Sequence, residues 1–160
     1  YGEFAWKLRN DPRVTVLEKT NIRYLTWEKI RETNNSSRAE SRDSQLTTHN
    51  LPRPTIAVID VSFISLIKVL PAVISILEQP FEIIALIKPQ FEAQKEQVGK
   101  GGIIKDPEVH TAVLEKIKRE SLVLGLNIRG LTDSPITGAD GNKEWLIYLT
   151  PLMTNPSTDG

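Results

Sequence analysis

At 160 residues the chain has the length of one domain, with 20 Lys+Arg set against 20 Asp+Glu. That balance excludes the broad electropositive surface that small nucleic-acid modules carry, and because both signs are spread along the chain there is no charged arm. The absence of cysteine excludes disulfides, thiolate-bound metals, iron–sulfur ligation and a cysteine nucleophile, and it suits a reducing cytoplasm.

The opening stretch, YGEFAWKLRNDPR, holds no apolar run of signal-peptide length. Residues 14–18 (VTVLE) form a β-branched run, predicted as a strand. Residues 26–32 (TWEKIRE) read as a short helix with Thr26 as its N-cap. From 34 to 54 the chain is NNSSRAESRDSQLTTHNLPRP, with Leu46 and Leu51 as its only large apolar residues. So polar a stretch cannot offset its own ordering entropy by burial, and it is predicted as a mobile surface insertion.

Residues 55–60 (TIAVID) are a nearly continuous apolar run ending in an acid, the pattern of a strand buried on both faces. Residues 65–77 follow as an apolar helix, with a kink expected at Pro71. The apolar stretch 61–77, interrupted by Lys68 and Pro71, is shorter than the about 20 residues a membrane helix needs, so no membrane partner is expected. Residues 82–88 (EIIALIK) form a second buried strand. Asp106-Pro107-Glu108 is a helix start, and that helix runs to about Leu124, where Gly125 closes it. Residues 127–132 and 144–150 are two further strands, joined by the turn-rich SPITGADGN. The last residues, 151–160, read as a disordered tail.

Strand–helix–strand–helix–strand implies a parallel sheet with right-handed crossovers. The final pair lacks a helix between its strands, so the last strand is expected to be antiparallel in an open, twisted α/β sheet. Ligands in such sheets bind beyond the carboxyl ends of the parallel strands. Asp60 and Lys88 stand at two such ends, and Glu144 begins the reversed strand at the same edge. Topology alone therefore gathers an acid, a base and an acid, as either a reaction site or a structural ion-pair network.

Other patterns carry less. Val98-Gly99-Lys100-Gly101-Gly102 lacks the spacing of a nucleotide-binding loop, with Gln94 where the first glycine belongs. It remains able to offer Lys100 and backbone N–H groups to a nucleic-acid phosphate. His49 and His110 are isolated, so no metal is expected. Ser62 and Ser65 have no histidine placed for a hydrolase triad. Trp6, Trp27 and Trp145 read as packing residues.

Read in order, DPRVTVLEKTNIRYL, IDVSFISL, ALIKPQFEA, VGKGGIIKDPEVH and SPITGADGNKEWL resemble the TlyA (hemolysin A) family over residues 1–150, apart from the 34–54 insertion. Members of that family are FtsJ-like, S-adenosylmethionine-dependent ribosomal RNA 2′-O-methyltransferases. The resemblance implies a Rossmann-like class I methyltransferase sheet, mostly parallel with an antiparallel last strand. It also implies a Lys–Asp–Lys–Glu tetrad around the target ribose. Asp60 matches its Asp, Lys88 its second Lys and Glu144 its Glu, so these are the expected catalytic residues. Thr20 and Asn21 are expected against the cofactor's adenine, Asp60 is a further expected cofactor residue, and Lys100 and Lys105 are the expected RNA contacts.

The family's S4 RNA-binding module, the tetrad's first lysine and the Gly-rich cofactor loop have no match here. The resemblance therefore implies an incomplete sheet, the back two-thirds of a methyltransferase domain over residues 1–150. Weak or absent activity is expected of such a piece. Two alternatives remain: a non-catalytic RNA-binding remnant, and a membrane-active hemolysin, against which the lack of a spanning or basic amphipathic helix argues.

Overall fold

The computed structural model describes residues 6–9, 11, 13–39, 52–138 and 141–152. The chain divides into two units, residues 1–53 and 54–160.

In the first unit, α1 (Trp6–Arg9) is a single turn and α2 (Trp27–Ala39) is the main element. Thr26 caps α2 as expected, its Oγ1 accepting from the Lys29 N–H at 3.3 Å. The helix continues through residue 39, beyond the expected end and into the predicted insertion; residues 40–51 of that segment lie outside the described residues. Residues 14–17 form no strand: the Val14 N–H turns back to the Asp11 carbonyl (2.9 Å), and Arg9 grips Glu18 at 2.6 Å. A β-branched run without a neighbouring strand has no ladder to join, and here local turns satisfy its backbone.

The second unit is a four-stranded open sheet in the order β1-β2-β4-β3. Its strands are β1 (Ile56–Ile59), β2 (Glu82–Ile87), β3 (Leu126–Asp133) and β4 (Trp145–Pro151). β1 and β2 pair in parallel, while β4 runs antiparallel to both β2 and β3. Three strands thus share one direction and the last opposes them, as expected. β4 inserts between β2 and β3, with a register shift in β3 between Ile128 and Gly130. It reaches Pro151, and Leu152 N–H donates to the Gly125 carbonyl (2.8 Å); residues 153–160 lie outside the described residues.

Pro71 does not kink a helix. A 3-10 turn over Leu66–Lys68 comes first, and α3 (Leu70–Ile76) starts with Pro71 in its first turn. The ring lacks an N–H, and a first-turn position has no intrahelical acceptor for one. α4 (Pro107–Val123) starts as its sequence dictates, with the Asp106 carboxylate accepting from Glu108 N–H at 2.8 Å. Gly125, at φ +75°, takes the left-handed conformation that closes it.

One face of the sheet forms the core. Ile83, Ala85, Ile87, Ile147 and Leu149 are fully buried, as are Leu70 of α3 and Ile117 of α4. The other face corrects the expectation for β1, since Ile56 is 60% and Val58 76% exposed, with Ile84 of β2 at 41%. The strand lies at the sheet's edge, so its apolar run reflects a face and an edge that this unit leaves uncovered.

Candidate active site

Parallel pairing sets the first half of the site. Ile59 lies beside Ala85, so β1 and β2 run toward the same edge, with β2 ending two residues beyond β1. There Lys88 Nζ lies 2.6 Å from Asp60 Oδ1 and 3.3 Å from Ser62 Oγ. The Lys88 side chain is 15% exposed and that of Asp60 65%, so a sheltered cation faces an open carboxylate. Lys88 also begins the 3-10 turn Pro89–Phe91, whose Phe91 N–H bonds the Lys88 carbonyl at 2.9 Å.

Antiparallel pairing brings the third residue. Ile87 lies opposite Trp145 as the last pair of the ladder, and Lys88 and Glu144 are the next residues beyond it on the two chains. Glu144 is 5% exposed, and no cation lies within 4.0 Å of its carboxylate among the described residues. The three do not form one closed ion-pair network: Lys88 pairs with Asp60, and Glu144 lies outside that pair. Glu144 packs onto Gly138, where an added Cβ would collide with its carboxylate.

Asn142, 3% exposed, joins this edge to the Gly-rich loop. Its Oδ1 accepts from Ile104 N–H (3.1 Å), its Nδ2 donates to the Gly102 carbonyl (2.9 Å), and its own carbonyl accepts from Gly138 N–H (2.9 Å). Removing this side chain leaves the buried Ile104 N–H without an acceptor. Asn142→Ala is expected to cost about 1–3 kcal/mol in chemical denaturation; a change under about 0.5 kcal/mol would show that water replaces it.

Lys100 is exposed in the loop, and Lys105 is exposed just before the α4 cap. Two loop N–H groups, those of Gly99 and Gly102, are used within the loop, which leaves the lysine side chain as its clearest offer to a phosphate. Thr20 and Asn21 belong to the first unit. Thr20 Oγ1 donates to the Glu18 carbonyl (3.1 Å), and Asn21 Oδ1 caps the turn Ile22–Tyr24 by accepting from Arg23 N–H (3.1 Å). Trp27 and Trp145 are buried, as packing residues should be. His110 meets Trp145 edge-on at 5.2 Å, and no metal-binding group of side chains exists among the described residues.

The sequence reading gave no role to Ser62, Glu92, Gly138 or Asn142. All four lay inside the motifs already singled out, but only tertiary contact distinguishes them from their neighbours. Phe63 is another: it is 91% exposed at φ +63°, a backbone conformation that a bulky side chain seldom adopts, and its ring lies 5.1 Å from that of Phe91.

A family model described as FtsJ-like methyltransferase matches residues 1–150. Bacillus subtilis YqxC, which carries the words rRNA methyltransferase in its name, is 44% identical over 149 residues, or 93% of this chain and 46% of its own length. The Mycobacterium tuberculosis protein named 16S/23S rRNA (cytidine-2'-O)-methyltransferase TlyA is 40% identical over 149 residues, covering 93% and 48%. A solved structure from Streptococcus thermophilus superposes with a TM-score of 0.78 at 37% identity, covering 94% of this chain and 48% of that one. Another, from Lactococcus lactis, gives 0.75 at 43%, covering 91% and 61%; both bear the word hemolysin in their names. The chain spans about half the length of the curated relatives it matches.

Proposed function

Because the chain belongs to the FtsJ-like methyltransferase family, we propose that it carries the ribose-side part of an active site. That site methylates a 2′-hydroxyl of ribosomal RNA in the cytoplasm, with S-adenosylmethionine as the methyl donor. The observation that carries this reading is the Asp60–Lys88 pair at the carboxyl ends of two parallel strands, with Glu144 just before the start of the antiparallel strand beside β2.

The described residues fit the cofactor in part. The open Asp60 carboxylate complements a cationic sulfonium or ammonium group, but neither parallel strand is followed by a glycine-rich turn. Asp60 is the proposed cofactor residue of the sheet unit, and Thr20 and Asn21 are those of the N-terminal unit. When bound, S-adenosylmethionine would supply an electrophilic methyl group to the ribose oxygen, with S-adenosylhomocysteine as the leaving group.

Lys88 faces the reacting hydroxyl. As an ammonium it stabilises the developing alkoxide, and as an amine it takes the proton directly. Asp60 and Ser62 hold Nζ from one side, and the buried Glu144 supplies negative charge from the strand opposite. The hydroxyl proton ends on Lys88 or on one of the two carboxylates. The exposed Phe63 ring offers a stacking surface for an unpaired base, while Lys100 and Lys105 meet phosphates.

The uncovered face formed by Ile56, Val58 and Ile84, with the free edge of β1, is where further chain would pack in a protein of the relatives' length. Cofactor affinity is therefore expected to depend on that packing. Calorimetric titration of S-adenosylmethionine compares this chain with a chimera in which residues 1–150 replace the matching segment of YqxC. The chimera is expected to bind at about 1–100 μM and to methylate ribosomal RNA at a ribose, with the chain alone far weaker. A chimera that binds RNA but neither cofactor nor methyl group would favour the RNA-binding remnant. Leakage from lipid vesicles would favour the membrane-active alternative; among the described residues no helix is long and apolar enough to cross a membrane.

A further inference from the structure

The geometry points to Glu92 as a positioning residue: one short turn grips the 60–66 loop at two points, through Lys88 at its start and Glu92 at its end. The proposal rests on the reading of Asp60 and Lys88 as the methyl-transfer pair. Glu92 is itself 7% exposed, and its side chain 2%. Its Oε1 accepts from Leu66 N–H at 2.5 Å and its Oε2 from Ser65 Oγ at 2.7 Å. Lys116 of α4 lies 3.6 Å from Oε2 and donates to the Glu92 main-chain carbonyl at 2.9 Å.

A carboxylate buried this deeply is a poor way to stabilise a core, because an apolar side chain of similar volume avoids the desolvation penalty. Its partners indicate what it does. Leu66 and Ser65 lie 26 and 27 residues away in sequence, at the far end of the loop that starts at Asp60. Lys88, four residues before Glu92, holds the near end through Asp60 and Ser62. Between the two grips the loop passes through Phe63 at φ +63°, a conformation disfavoured for a residue with a Cβ, which relaxes unless its surroundings enforce it. The Phe63–Phe91 ring contact braces the same place from the residue next to Glu92. Loosening the far grip therefore lets the loop relax and takes Asp60 and Ser62 out of line with Nζ.

Hydrogen exchange on this chain, with Glu92→Ala, Glu92→Gln and the wild type, tests the grip without any reaction. Glu92→Ala is expected to speed exchange over residues 62–68 by about tenfold or more, leaving β2 and β4 protected. Glu92→Gln keeps an acceptor for Leu66 N–H and recovers most of the protection. In the YqxC chimera, Glu92→Ala is expected to lower kcat about 10–100-fold while KM for cofactor changes less than about threefold. Unchanged exchange at 62–68, or loosening spread evenly over the sheet in both variants, overturns the proposal. So does an unchanged kcat in an active chimera. A wild-type chimera without methyl transfer, together with local loosening in the variant, would instead sink the methyltransferase reading and leave the grip standing.

Discussion

Replacing Lys88 by alanine in the YqxC chimera is expected to lower methyl transfer about 10²–10⁴-fold, the usual contribution of a positioned proton acceptor or charge stabiliser. Stability should hardly change. The partner Asp60 is 65% exposed, so losing the pair leaves a hydrated carboxylate, and such half-open pairs are worth about 0–1 kcal/mol. The two magnitudes separate the alternatives left open by topology. A structural ion-pair network would show the reverse, with a shifted denaturation midpoint and activity that follows the folded fraction. Lys88→Arg sharpens the test, because arginine keeps the charge and the ion pair but cannot accept a proton. Rescue by arginine would assign charge stabilisation to Lys88 and proton transfer to a carboxylate. Near-normal turnover in Lys88→Ala would remove Lys88 from the reaction altogether.

Gly138→Ala is expected to lower transfer about 100-fold although Gly138 touches no substrate in the proposed reaction. A methyl group there would occupy the position of the Glu144 carboxylate. The backbone of Gly138 is not in the left-handed region, so alanine itself is not strained. The surrounding loop is braced, with Ser134 N–H bonded to the Glu144 carbonyl (2.9 Å) and Gly138 N–H to the Asn142 carbonyl (2.9 Å). The carboxylate is the part able to yield, and yielding moves it out of its place against Gly138. A double-mutant cycle in the chimera checks this cause. Gly138→Ala should add little to the loss already produced by Glu144→Ala, since both remove the same group. Full additivity, or a fully active Gly138→Ala variant, would show that the Glu144 position is not critical.

Much of the sheet unit was legible before any coordinates. Asp106-Pro107 and Gly125 bracket α4 by local backbone chemistry, which acts within a few residues and so is readable in a few residues. The reversed β4 followed from the lack of a crossover helix. Where local reasoning went wrong, the outcome depended on distant partners. Residues 14–17 have strand-forming side chains and no strand to pair with. Pro71 fits as a helix start because a 3-10 turn ends just before it. The apolar run of β1 reads as buried on both sides because sequence records hydrophobicity and not what covers it; Val58 is 76% exposed.

The site divides along the same line. Sequence by itself determined the direction of the strands, and with it that Asp60 and Lys88 follow the ends of two parallel strands, because the alternation of elements sets direction. It also determined the family, through motifs whose combination is specific. Only the tertiary structure decided that Lys88 pairs with Asp60 while Glu144 stands apart, that Gly138 leaves room for a carboxylate, and that Asn142 and Glu92 tie loops together. Those outcomes rest on contacts of a few ångströms between residues as many as 40 positions apart, and their strength depends on burial, which only the folded chain creates.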